Sequence, residues 1–357
     1  MAPQQPQWHN KISHHAQLGG IETSVLDNGP GRGNRIAWVN TGTGLRFKVV
    51  IDRCMDIAEA FFNQHSLVWL SYAGQTAPDP SSDRGIAWLK NFGGGLCTTC
   101  GLTHAGGPEQ DEHGERGLHG RMSNTPAEIV SVIQPDPVTG NMDMSITGII
   151  KEASALGTCL ELRRTISARI GEAVVRIHDQ VTNRGNTTAP HMLLYHFNFG
   201  WPLADEGAEL YWSGPLQPRD ELSVQIFNKN YNFRRCAAPL ANHAGTGEAA
   251  AFIDVAAGKD GWSTCGLHNP QIGLAAVLRF KKEQLPWLTN WQHWGPGEYV
   301  TGLEPGTHPP IGQAAARKQG TLILLQPGES RSYELELSVL TEKNNINKIL
   351  FHDETIL

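Results

Sequence analysis

The chain has 357 residues, enough to bury a large core without disulfide staples. Its 29 lysines and arginines against 35 aspartates and glutamates give a formal charge of −6 with no long run of one sign. That balance argues against a nucleic-acid partner, whose phosphates require a basic stripe, and suits a small neutral or nearly neutral ligand.

No stretch approaches the ~18 apolar residues of a membrane-crossing helix. The opening MAPQQPQWHNKISHHAQLGG lacks the apolar core and cleavage pattern of a secretory signal. No membrane partner is expected, and the expected location is cytoplasmic. The six cysteines are scattered, unlike a disulfide framework.

In chain order, Ile51–Ile57 reads as an apolar strand interrupted by Arg53 and Asp56, either a structural ion pair or ligand contacts. Residues 58–70 are compatible with a helix or a strand pair, with Phe61–His65 resembling the turn of the latter. Cys97 and Cys100 are the one close cysteine pair. Buried structural thiols are the expected reading, against a metal site completed by His104 and His113. In Gly114–Arg121, glycines flank His119 and Arg121 and would present both from a loop, though a surface loop with incidental charges is an equal reading.

Asn141–Gly148 and Val175–Thr182 alternate apolar and polar residues with period two. In His191–Pro202 the same period puts Leu194, His196, Asn198 and Gly200 on one face and Tyr195, Phe197, Phe199 and Trp201 on the other. The aromatic face belongs in a core; the other offers His196 and Asn198 to a ligand, unless the histidine is simply a hydrogen-bonded core residue. Leu288–Gly295 carries Trp291 and Trp294 as plates for sugar rings and Gln292 as a hydroxyl partner. Glu304 ends the following apolar strand at a Pro-Gly break. Thr321–Leu325 and Ser330–Val339, joined through Gln326-Pro327-Gly328-Glu329, read as a hairpin.

Helical periodicity is nearly absent and there is no GxGxxG, so an all-β antiparallel sandwich or barrel is expected rather than a dinucleotide fold. One domain spanning residues 1–357, with its core at about 20–340, accounts for the pattern.

Six segments in order resemble the galactose mutarotase (aldose 1-epimerase) superfamily, closest to a branch of uncharacterised bacterial aldose-epimerase-like proteins. They are Asp52–Ile57, Gly117–Arg121, Asp179–Asn183, Tyr195–Gly200, Gly302–Pro305 and Leu325–Ser330. The resemblance covers about residues 45 to 340 and implies a large antiparallel β-supersandwich of about thirty strands with a sugar cleft. It implies His196 as general acid toward the ring oxygen and Glu304 as general base toward the anomeric hydroxyl. His119 is similar to a histidine that holds the sugar near its ring oxygen, and Arg53 to a basic residue that contacts ring hydroxyls. The sequence departs from the family's Leu-His-Gly-Gly wording where Arg121 replaces the second glycine, which would add charge to the cleft.

The expected chemistry is therefore anomer interconversion by an acid and a base, with no metal or nucleotide cofactor. Glu304 close to His196 would favour the imidazolium. Asp56, Asn198, Trp291 and Gln292 complete the expected binding set. Arg53 and Arg121 motivate a second reading, an isomerase or lyase for a keto- or acidic sugar; a non-catalytic carbohydrate-binding protein is a third. The sequence leaves a homodimer open.

Overall fold

The computed structural model describes residues 8–228, 230–341 and 346. Residues 1–7, part of the stretch read as lacking a leader, lie outside the described residues.

The architecture is two antiparallel sheets, of twelve and eight strands, with a two-stranded ribbon at Glu109–Asp111 and Gly114–Arg116. Six neighbouring strands of the larger sheet build the site. In chain order they are β1 (Asp56–Phe62), β2 (Cys97–Leu102), β3 (Ala189–Gly200), β4 (Ala249–Asp254), β5 (Trp287–Gly295) and β6 (Glu298–Gly306). Their spatial order is β1-β2-β3-β6-β5-β4.

Period-two alternation divides the large sheet into two faces. Tyr195, Phe197 and Phe199 of β3, Leu303 of β6 and Trp294 of β5 join the main core. There they pack with residues of the smaller sheet such as Leu162, Ile166, Ile177 and Leu335. On the opposite face Cys100, Met192 and Leu194 form a second cluster with Trp88, Phe92 and Ala105. Cys97 and Cys100, three apart on β2, therefore belong to different clusters and cannot share a ligand. All six cysteines are free, and burial pushes both of these thiols well above the ordinary range.

Between the sheets lies a buried ionic network. The Arg164 guanidinium donates to Asp179 at 2.7 Å and to Thr99 Oγ1 at 2.7 Å, and Tyr195 donates to Asp179 at 2.7 Å. Asp56 joins through Thr99 and lies 3.4 Å from Arg164. Breaking such a pair by removing one partner costs about 3–5 kcal/mol, because the other charge stays buried. The network ties β1, β2 and β3 together directly behind His196.

Several sequence expectations are corrected. The described residues hold strands numbering twelve, eight and two, fewer than about thirty. Much of residues 67–96 and 219–247 runs instead as loops and short helical turns. Residues 51–55 are a turn, with Cys54 and Met55 at φ of 54° and 56°, and the strand begins only at Asp56. The reading of 58–70 as a strand pair holds at Asp56–Phe62 and His65–Ser66. The hairpin around 326–329 does not form. Ile323–Leu325 pairs with β3, whereas Ser330–Leu340 lies in the other sheet between Leu274–Lys281 and Val174–Asn183, so this turn crosses between sheets. Trp201 lies past the end of β3 and is 69% exposed rather than in the core. Among the described residues no helix is long and apolar enough to cross a membrane.

Candidate active site

The register of β3 on β6 pairs Leu194 with Gly306 and Phe197 with Leu303, which sets His196 opposite Glu304. On the next strand, Thr289 of β5 lies opposite Glu304. His196, Glu304 and Thr289 thus form one row across three adjacent strands, roughly 5 Å apart from strand to strand. All three line a cavity of about 380 Å³ on the face away from the main core.

His196 Nε2 lies 3.3 Å from Glu304 Oε1, within ion-pair distance but outside hydrogen-bond alignment. Rings surround the imidazole: Phe92 at 5.2 Å, Trp291 at 5.4 Å, His119 at 6.1 Å and Trp88 at 6.5 Å between centroids. Gly302 makes room for the carboxyl, since a Cβ there would lie 2.3 Å from Glu304 Oε1. His119 is held in a left-handed turn at φ 56°, its N–H donating to Gly106 and its carbonyl accepting from Gly101.

Burial governs the protonation of this group. It pushes the Glu304 carboxyl well above the usual carboxylate range, with the nearby Glu248 charge adding to the rise and Arg219 opposing it. It pushes His196 down to about 3, against a smaller upward pull from Asn198. His119 falls to about 3 through burial, reinforced by His196 and His104. The expectation that Glu304 favours the imidazolium of His196 meets an opposing effect, because burial disfavours the charged form of both groups.

Four cavity-lining polar atoms are buried without a hydrogen-bond partner: His119 Nδ1, His196 Nδ1, Thr289 Oγ1 and Glu304 Oε1. Each such atom costs about 1–3 kcal/mol when left unpaired. Their convergence on one aromatic-walled cavity fits a ligand carrying several hydroxyls. One wall is charged but internally balanced. Arg219 bonds Glu248 Oε1 and Asp220 at 2.7 Å each, and Glu248 Oε2 accepts the indole N–H of Trp291 at 2.7 Å.

Of the residues expected from sequence, His196, Glu304, His119 and Trp291 meet at this cavity. Six others do not line it, each for a local reason. Gln292 follows Trp291 on a strand and so faces the opposite side, where it donates to the Phe233 carbonyl and to Asn290. Trp294 shares that face and sits in the core. Arg53 braces three loops, donating to Ser123 and Asn91 carbonyls and to Thr76 Oγ1. Asp56 belongs to the Arg164 network, burial raising its carboxyl to about 6. Asn198 donates to the Gly95 carbonyl, and Arg121 to that of Ala153. Arg53 and Arg121, which motivated the acidic-sugar reading, are thus outside the cavity lining, and the arginine that does line it, Arg219, is paired with Glu248 and Asp220.

Sequence reasoning missed Trp88, Phe92, Thr289, Arg219 and Glu248. The aromatics at i and i+4 before Gly93-Gly94-Gly95 were a usable signal. Thr289 shares a strand face with Trp291 two residues on, so period two was a usable signal there too, whereas Arg219 and Glu248 were single polar residues in stretches without periodicity.

Over residues 31–339 the sequence matches a family described as Domain of unknown function (DUF4432). No curated protein matches it by sequence. Among solved structures, a "putative aldose 1-epimerase" from Klebsiella pneumoniae superposes with a TM-score of 0.83 at 24% identity, over 94% of this chain and 87% of that one. A galactose mutarotase-like protein from Clostridium acetobutylicum gives 0.62 at 10% identity, over 90% and 98%. Galactose 1-epimerase from Lactobacillus acidophilus NCFM gives 0.57 at 10% identity, also over 90% and 98%. At these identities the likeness is one of fold. The chain belongs to the DUF4432 family and is built on the galactose mutarotase-like fold.

Proposed function

We propose that the protein is an aldose 1-epimerase-type isomerase acting on a neutral sugar, with His196 and Glu304 as its catalytic pair. The observation that carries this reading is the pair itself: an imidazole and a carboxyl 3.3 Å apart at the base of an aromatic-walled cavity.

Anomer interconversion requires one proton to leave O1 while another reaches the ring oxygen. Both oxygens are bound to C1, so two groups in near contact suffice. Sugar hydroxyls against Glu304 Oε1 replace solvation lost on burial and favour the carboxylate, with a proton on His196. His196 then protonates the ring oxygen as Glu304 takes the O1 proton; the C1–O5 bond breaks and C1=O1 forms. Rotation about C1–C2 and the reverse transfers close the other anomer and restore both groups. Trp291, Trp88 and Phe92 offer apolar faces to the ring, and His119 Nδ1 a polar contact.

The test is the rate at which anomers of freshly dissolved aldoses equilibrate, by polarimetry or NMR exchange, in His196→Asn and Glu304→Gln. Each group of this kind contributes about 10²–10⁴-fold, so either variant should fall by that amount with its circular dichroism unchanged. Full activity in either one would discard the assignment. A variant that binds sugar normally while the parent protein shows only the spontaneous rate would indicate a binding protein instead.

A further inference from the structure

Thr289 has no task in the two-residue mechanism, yet it is placed as if it had one. It is 3% exposed, lines the cavity, and its Oγ1 has no hydrogen-bond partner. The neighbouring side chain of the same strand, Asn290, faces the other way and is bonded to Thr301 and the Gly302 carbonyl. A valine would fill the same volume without burying an unpaired hydroxyl, so the hydroxyl fits a partner supplied by the ligand.

Its position in the row identifies that partner. Across the sheet the order is His196 on β3, Glu304 on β6 and Thr289 on β5, with Glu304 between the other two. Directly opposed side chains on neighbouring strands have Cβ atoms about 4.5–5.5 Å apart. With His196 at the ring oxygen and Glu304 at O1, Thr289 reaches the anomeric oxygen from the side away from the ring oxygen. O1 gains negative charge as Glu304 removes its proton, and a fixed O–H donor beside it stabilises that charge.

We propose that Thr289 is a third catalytic residue, donating a hydrogen bond from Oγ1 to the anomeric oxygen during ring opening and closure. This rests on the aldose 1-epimerase reading. No bond to Thr289 forms or breaks; its proton stays on Oγ1 while the O1 proton passes to Glu304.

The experiment compares Thr289→Val and Thr289→Ser with the parent protein. The measured quantities are kcat and KM for anomer exchange of α-D-galactose, α-D-glucose and aldopentoses. Thr289→Val should lose at least about tenfold in kcat with KM within about twofold, because the lost interaction is made in the transition state. Thr289→Ser keeps the donor and should stay within about threefold of the parent protein. A rise in KM with unchanged kcat would assign Thr289 to a non-reacting hydroxyl and overturn the proposal, as would an unaffected valine variant or equal losses in valine and serine. If the parent protein itself does not exceed the spontaneous rate with any of these sugars, the aldose 1-epimerase reading fails first. An active parent with an unaffected valine variant sinks the Thr289 role alone.

Discussion

Glu248 holds Trp291 in place: its Oε2 accepts the indole N–H at 2.7 Å while its Oε1 accepts from Arg219. Trp291 in turn stands edge-on to His196, 5.4 Å between centroids. One carboxylate therefore orients the ring-stacking plate, neutralises the only arginine on the described cavity wall, and raises the proton affinity of Glu304.

These tasks separate by substitution. Glu248→Gln keeps an oxygen acceptor for the indole but removes the charge, so KM should change little. Because the Glu248 charge raises the Glu304 pKa, its loss lowers it, and the limb of the kcat/KM pH profile that reports Glu304 should move to lower pH. Glu248→Ala loses the acceptor too and should raise KM by about tenfold, the worth of one charge-assisted hydrogen bond. Identical pH profiles in the parent and the glutamine variant would show that Glu248 does not act on the pair.

Three buried histidines should make stability fall with acid. His119 and His196 are lowered to about 3 and His191 to about 4, in each case chiefly by burial. In the unfolded chain they take up protons near pH 6.5. The folded state binds fewer protons as pH falls below 6.5, so stability present above that value is lost toward pH 4. Asp56, raised to about 6, acts oppositely between its unfolded pKa and that value, which masks part of the effect. His191 isolates it, since it lies outside the cavity, bonded to Tyr333 and the Leu102 carbonyl. In urea unfolding, the stability gap between the parent protein and His191→Gln should narrow by roughly 2 kcal/mol from pH 7 to 4.5. A gap that stays constant would mean His191 is protonated in the folded state.

What the sequence revealed followed from local periodicity. Alternation along Leu194–Gly200 separated His196 from the aromatic core face, whereas the Pro-Gly step after Glu304 does not end its strand as expected, since pairing on both sides carries β6 on to Gly306. The same rule, applied strictly, would have excluded Gln292 as a companion of Trp291, because consecutive strand residues face opposite ways. It could not reveal that β3 lies beside the hairpin of β5 and β6, about a hundred residues further along the chain. Thr289 acquires its meaning only from that order. Arg53 and Asp56 looked functional because buried charge in a strand-like segment is unusual; their partners Ser123, Thr76, Asn91 and Arg164 are all distant in sequence. Arg219 and Glu248 sit in irregular segments, where only the fold brings them to the cavity.

Gly302 tests whether the position of the Glu304 carboxyl, rather than its presence, sets the rate. An alanine Cβ would meet Glu304 Oε1 at 2.3 Å and Trp291 Cβ at 3.2 Å. The strand around it is extended and fully paired, so alanine is acceptable to the backbone and the strain falls on the carboxyl, which is free to turn. Gly302→Ala should remain folded, with a melting temperature within a few degrees of the parent, because the displaced atoms belong to one side chain. Its kcat should fall about a hundredfold, since a misplacement of about 1 Å carries a penalty of that order. Should the variant melt normally and turn over at the parent rate, the contact between His196 and Glu304 would not be the geometry that matters.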